Sequence, residues 1–274
     1  MYQILGYQAI ANAGALTDMV AIPDSSFSAR GGASGAGHWI FTEQYDLMAI
    51  CGAGATASQV QMFDSTYNAI NIPQVYPVNL AKVPLTNPNV MDLRRQPWPM
   101  PMNEEIAFQF SATGPEDDYV LIWIAPSNGA GMPPPAPNTL TQPRLYANVT
   151  ATTALTINAW TSFVPITFVN PLKGGAYQVN GAYWVVASSL AYRMNFVKAP
   201  LYNGRKLFPG NLVEAAYGNV PLIWRDDWLG PMGRFNNFEL PQVAFLGTTA
   251  AASATYKGIL DLTYLGTMGP DALP

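Results

Sequence analysis

A single cysteine, Cys51, and a single histidine, His38, occur in the 274 residues. One thiol excludes an intrachain disulfide, and no His/Cys cluster has metal-ligand spacing. Charge is also scarce: 13 basic and 17 acidic side chains make up 11% of the chain, against about 25% in a typical soluble domain. The basic residues form no cluster and no arm, so the phosphate-neutralising patch of a nucleic-acid binder is missing and no direct nucleic-acid contact is expected. No run is long and apolar enough to span a bilayer. Met1–Leu5 lacks the charged and apolar regions of a signal peptide, so no leader is expected. Gly31-Gly32 and Gly52-Ala53-Gly54 lack the strand–loop–helix context of a phosphate cradle, and no Gly-x-Ser-x-Gly turn is present.

What replaces charge is Asn, Thr, Ser, Gly, Pro and Gln, while the hydrophobic share, 49%, is ordinary. A monomer with so neutral a surface has poor colloidal stability. One reading is that neighbouring subunits cover much of the surface, since interface cores are depleted in charge. The other is a neutral, polar secreted protein.

Short apolar runs rich in β-branched and aromatic residues fill the chain, punctuated by 24 prolines and 23 glycines. Leu260, Leu262 and Tyr264 alternate with Asp261 and Thr263, which predicts a half-buried strand. Leu155, Ile157 and Ala159 alternate with Thr156 and Asn158 in the same way. Tyr119–Ile124 is apolar on both faces, so both should be covered. The pattern predicts an almost all-β chain, with one short helix near Leu212–Tyr217 capped by Asn211.

The chain also repeats itself. Asn89-Val90, Arg95, Trp98 and Pro101-Met102 recur 130 residues on as Asn219-Val220, Arg225, Trp228 and Pro231-Met232. Average composition gives about one such identity by chance over that window. Three weaker blocks follow in the same order: Tyr7 to Thr17 with Tyr146 to Thr156, Tyr45 to Met62 with Tyr177 to Met194, and Ile106 to Ile122 with Val243 to Ile259. A repeat of this length is two whole domains rather than a solenoid. The expected division is residues 1–130, a Pro-rich connector at 131–144, and residues 145–274. The connecting region 125–144 is expected to be stiff and extended. Loops Tyr67–Pro88 and Pro200–Gly218 occupy corresponding places in the two halves.

Few residues point to chemistry. A nucleophilic triad would need His38; Cys51, in an apolar run, reads as a buried inert thiol. Glu104-Glu105 and Asp226-Asp227 are acidic pairs, and Glu116–Asp118 reads as a solvated turn. The first-half counterpart of Asp226-Asp227 is Gln96-Pro97, which argues against a duplicated catalytic pair. The repeat-equivalent positions Arg95, Trp98, Met102, Arg225, Trp228 and Met232 read as structural, the tryptophans packing in the core and the arginines fixing a loop. The sequon Asn148-Val149-Thr150 reads as chance. No catalytic residue, cofactor or metal ligand is expected.

Tandem all-β halves, a Pro-rich joint, low charge and abundant Asn, Thr and Pro make the whole chain resemble the double jelly-roll major capsid proteins of tailless icosahedral viruses, many of them membrane-containing phages. The resemblance implies two tandem jelly-roll β-sandwiches with little helix. It also implies a homotrimer whose six similar domains fill a hexagonal place in a virion shell, partnered by neighbouring trimers, other capsid proteins and an underlying membrane or membrane-associated protein. Tyr7 already lies in a repeat block, so almost no N-terminal membrane-contacting extension is expected. A two-domain carbohydrate-binding sandwich or glycan-active enzyme, and a vertex or spike component of a virion, are the alternatives.

Overall fold

The computed structural model describes residues 2–12, 17–24, 39–41, 43–54, 57–64, 90–102, 105–112, 116–127, 144–196, 207–213 and 231–266. Among these the chain is all strand and turn, with no helix. It divides into two compact units, Ile4–Gly129, and Ala130–Pro274 together with Met1–Gln3. Gln3 counts with the second unit, where its side-chain oxygen accepts the Phe208 N–H at 2.9 Å.

The first unit contains β1 (Gln3–Asn12), β2 (Thr17–Asp18), β3 (Val20–Ala21), β4 (Trp39–Ile40), β5 (Tyr45–Gly54), β6 (Ala57–Asp64), β7 (Val90–Asp92), β8 (Trp98–Met100), β9 (Glu105–Ala112) and β10 (Glu116–Pro126). The second contains β11 (Arg144–Leu155), β12 (Ala159–Trp160), β13 (Val164–Pro165), β14 (Thr167–Phe168), β15 (Ala176–Val185), β16 (Ser189–Asn195), β17 (Gly210–Leu212), β18 (Gly233–Asn236), β19 (Gln242–Gly247) and β20 (Ala251–Gly266).

Among the described residues each unit has two sheets, and the strand order repeats. In the second unit one sheet runs β14-β11-β20-β15-β18 and the other β12-β19-β16-β17, with β13 also on β19. In the first, one sheet runs β3-β1-β10-β5-β7, with β8 also on β5, and the other β2-β9-β4, with β6 also on β9. Thus β1, β10, β5 and β8 stand as β11, β20, β15 and β18 do, and β2, β9 and β6 as β12, β19 and β16. The chain position that would answer to β17, within 65–89, lies outside the described residues.

The cores sit between the two sheets of each unit. In the first, Leu5, Tyr7, Leu47, Ile50, Val120, Ile122 and Ile124 from one sheet meet Trp39, Met62, Ile106 and Phe108 from the other. Tyr7 donates its hydroxyl to the Ile106 carbonyl at 2.8 Å and meets Phe108 edge-on at 4.8 Å. In the second, Trp184 and Leu260 face Tyr192 and Phe245, and the Tyr192 hydroxyl donates to the Ala182 carbonyl at 2.7 Å. A buried phenol usually finds a hydrogen-bond partner for its polar end, and for both of these tyrosines that partner lies on the opposite sheet.

Strand register refines the sequence matches. Tyr45 and Tyr177 both face their cores, as do Leu47 and Val179, and Ile50 and Ala182. Ile50 lies opposite Ile122, whereas Ala182 lies opposite Leu260. The counterpart of Ile122 is therefore Leu260, one residue beyond the Ile259 given by the sequence match. A one-residue slip turns every side chain to the other face, and Ile259 indeed lies opposite Tyr183, off the core. Tyr7 and Tyr146 are mismatched in the same sense, Tyr7 buried and Tyr146 exposed.

Other expectations need correction. Glu116–Asp118 opens β10, with Asp118 opposite Gly54, so it is strand and not turn. Ala125 and Pro126 continue β10, and the connector begins after them. Asn211 caps no helix: it pairs with Tyr192 in β17, and its side-chain oxygen accepts the Leu212 N–H. Residues 214–217 lie outside the described residues. β11 ends at Leu155, and Asn158 takes φ 58° in the turn that follows, so the alternation through Ile157 and Ala159 is not one strand.

Candidate functional site

Arg95 is exposed in the turn after β7. An ion pair of that turn is formed by its neighbour: Arg94 meets the Asp92 carboxylate at 2.6 Å, both side chains being partly exposed. The Arg94 side-chain hydrogen bond holds the Asp92 carboxyl below its ordinary range. Trp98 is half-buried against the first core and lies opposite Leu47. Met102 is 63% exposed and Met232 is 2% exposed. Met232 donates its N–H to the Val179 carbonyl at 2.8 Å. Arg225, Trp228, His38 and Asp226-Asp227 lie outside the described residues. Cys51 is buried, and desolvation pushes its thiol up to about 12. Among the described residues no group of three His, Cys, Asp or Glu side chains could hold a metal ion.

Both faces of β10 are withdrawn from solvent. Val120, Ile122 and Ile124 enter the core, and Tyr119, Leu121 and Trp123, on the other face, are also buried. Ala49 and Cys51 of β5 are buried beside them. The same sheet face of the second unit is buried too, but it is polar. Gln178, Asn180, Asp261 and Thr263 are all less than 4% exposed and alternate with the core residues Tyr177, Val179, Leu260 and Leu262. The alternation expected of β20 is present, but its polar side is not a solvent side.

Hydrogen bonding explains why that face tolerates burial. Arg234 Nε donates to Gln178 Oε1 at 3.3 Å, and Gln178 Nε2 donates to Asn180 Oδ1 at 3.0 Å. Asn180 Nδ2 donates to Thr263 Oγ1 at 2.9 Å and to Asp261 Oδ1 at 3.3 Å. Buried polar groups are costly only when unsatisfied, and a connected network rigidifies the place it occupies.

The second sheet of this unit carries a buried cation. Arg193 alternates with Tyr192 and Met194 on β16, so it points away from the core. Its guanidinium carbon lies 4.3 Å from the Trp160 ring centre, 5.1 Å from Phe163 and 5.7 Å from Phe208. Such contacts contribute about 0.5–2 kcal/mol when desolvated. The sequence reading missed Arg193, because residues 33, 30 and 15 positions away in the chain build its surroundings.

No helix of the described residues is long and apolar enough to cross a membrane. Neither a protein-family model nor a curated protein matches the chain. Solved structures align with it at low similarity. The exported protein XepA of PBSX is 10% identical over 96% of this chain and 86% of that one, with a TM-score of 0.25. The major capsid protein P2 of bacteriophage PM2 is 9% identical over 100% of both, with a TM-score of 0.24. A chain of Sulfolobus turreted icosahedral virus is 10% identical over 96% and 79%, with a TM-score of 0.21. Scores this low fix neither the fold nor the function of this chain.

Proposed function

We propose that each unit is a jelly roll and that the chain is a structural virion protein, a major capsid protein whose homotrimers tile an icosahedral shell. The observation that carries this reading is the repeated strand order. Leaving aside the short β13 and β14, the second unit numbers its strands one to eight in chain order. Its sheets then run 1-8-3-6 and 2-7-4-5, an order that supports two interlocked jelly-roll sheets. The first unit follows the same plan in every described strand of the set. Two such units in one chain give a trimer six similar domains, so one gene product fills a place with six neighbours. Scarce charge suits large permanent interfaces, of order 2,000 Å² or more, and the strand faces of the two units are differentiated, one apolar and one polar.

In this reading the partners are copies of the chain, neighbouring trimers and other capsid proteins, above a membrane or membrane-associated layer, with no direct nucleic-acid contact and no enzymatic role. The positions Arg95, Trp98, Met102, Arg225, Trp228 and Met232 serve structure alone. Native mass measurement on the purified protein tests it. The expected species is three times the 29.6 kDa chain; a monomer at micromolar concentration overturns the trimer. Copy number in purified particles separates a major shell protein from a vertex or spike component.

A further inference from the structure

We propose that the first segment of β20, Ala251–Thr255, is an open strand edge that pairs antiparallel with the same segment of a second copy of this chain. The contact rests on the assembly reading above for the reason copies meet, and names where they do.

β20 is longer than either neighbour. β11 pairs with it from Ala251 to Thr263, but β15 pairs only from Lys257 to Gly266. Beyond Val185 the chain turns away, with the Ser189 N–H bonded to the Val186 carbonyl. Among the described residues, β11 is thus the sole strand paired with 251–256.

The direction of the backbone groups follows from the ladder. The Asn148 carbonyl accepts the Val169 N–H, on the β14 side of β11 and away from β20. Asn148 and Ile259 are therefore a non-hydrogen-bonded pair, and antiparallel pairs alternate. Two and four residues on, Thr150–Lys257 and Thr152–Thr255 are pairs of the same kind. The hydroxyls of Thr152 and Thr255 lie 2.8 Å apart, as the closer side chains of such a pair allow. The N–H and C=O of Thr255 consequently point away from β11, towards the space that β15 has left.

Residues 252–255 are all exposed. Natural edges are blunted by charge, proline, inward-pointing ionic groups or bulges; Ala251-Ala252-Ser253-Ala254-Thr255 has neither charge nor proline, and its one irregularity falls at Ala252-Ser253. The register shift opposite Thr153–Leu155 lies ahead of Thr255 and leaves its outward groups in regular strand. Small neutral side chains offer a foreign sequence no pocket or charge to select it, but they accept their own kind. A twofold pairing centred on Thr255 lets the two copies of that residue exchange both bonds and sets Ala254 against Tyr256, so no like charges face one another. An edge this short buries far less than the roughly 1,200 Å² of a stable interface. It therefore joins oligomers that are already formed.

Hydrogen exchange on the wild-type chain, assembled and dissociated, reads the contact directly. The expected result is that the Thr255 amide is fast in the dissociated form and protected on assembly, while the Tyr256 amide, facing β11, is protected in both. Thr255→Pro removes the outward N–H without breaking the β11 ladder, a position where edge strands accept proline. It should leave the small oligomer intact and raise the concentration needed for further assembly about tenfold, the equivalent of losing one or two hydrogen bonds. Thr255→Val, which keeps the N–H and loses the hydroxyl, should assemble as wild type does. A Thr255 amide that stays fast in the assembled form, or a Thr255→Pro variant that folds and assembles at the wild-type concentration, overturns the edge contact alone. A wild-type chain that never assembles overturns the shell reading and the contact with it.

Discussion

Gly258 is held against an indole. It lies between Val149 of β11 and Trp184 of β15, and a Cβ placed on it would stand 2.7 Å from Cδ2 and Cε3 of Trp184 and 2.8 Å from the Tyr183 carbonyl oxygen. The ring has little room to yield, because Trp184 is fully buried and meets Phe245 edge-on at 5.3 Å. Overpacking a filled core costs about 1–3 kcal/mol, and alanine's smaller backbone entropy in the unfolded chain returns about 0.4–1 kcal/mol. The clash wins, because one of its partners is backbone and cannot change rotamer. Gly258→Ala should therefore destabilise the second unit by about 1–2 kcal/mol, lowering its calorimetric midpoint by about 2–8 °C. Removing the ring tests the cause. In a Trp184→Leu background, itself several kcal/mol less stable by loss of buried area, the added methyl should cost measurably less, since residues in contact are not additive. A Gly258→Ala variant as stable as wild type, or a cost unchanged without the indole, would refute the reasoning.

Other outcomes follow from the same packing and electrostatics. Phe245→Ala, which removes the partner of Trp184 and of Tyr256, should cost about 3–5 kcal/mol in denaturant unfolding. Cys51, its thiol pushed up to about 12 by burial, should resist alkylation at pH 8 in the folded chain and react on unfolding. Because the folded form keeps that proton after the unfolded form has lost it, stability should fall as pH rises from about 9 towards 12. Arg94→Ala should raise the Asp92 carboxyl towards its ordinary value in an NMR titration, with less than about 1 kcal/mol lost at neutral pH because the pair is exposed.

The strand content was legible because apolar runs and turn residues are local signals. Tyr119–Ile124 announced its two buried faces without reference to any partner. Matching the halves was harder. Ile122 resembles Ile259 in sequence, yet the ladder pairs its counterpart Leu260 with Ala182, and a slip of one residue is invisible to identity while it reverses the face. Asp261 and Thr263 show a further limit: alternation reports that two faces differ, not what covers them, and here hydrogen bonds to Asn180 make burial of the polar face tolerable. At Asn211 a side-chain oxygen does accept a backbone N–H, as a cap would, but pairing with β16 decides the backbone. The aromatic surroundings of Arg193 come from three separate segments, and no spacing rule joins them.

Electron microscopy of the purified protein in solution tests the central claim most directly. The proposed two jelly-roll units per chain and three chains per tile predict class averages of a single oligomer with a pseudo-hexagonal outline of six similar lobes. Particles one chain in size, or an oligomer with no sixfold-like outline, would contradict it.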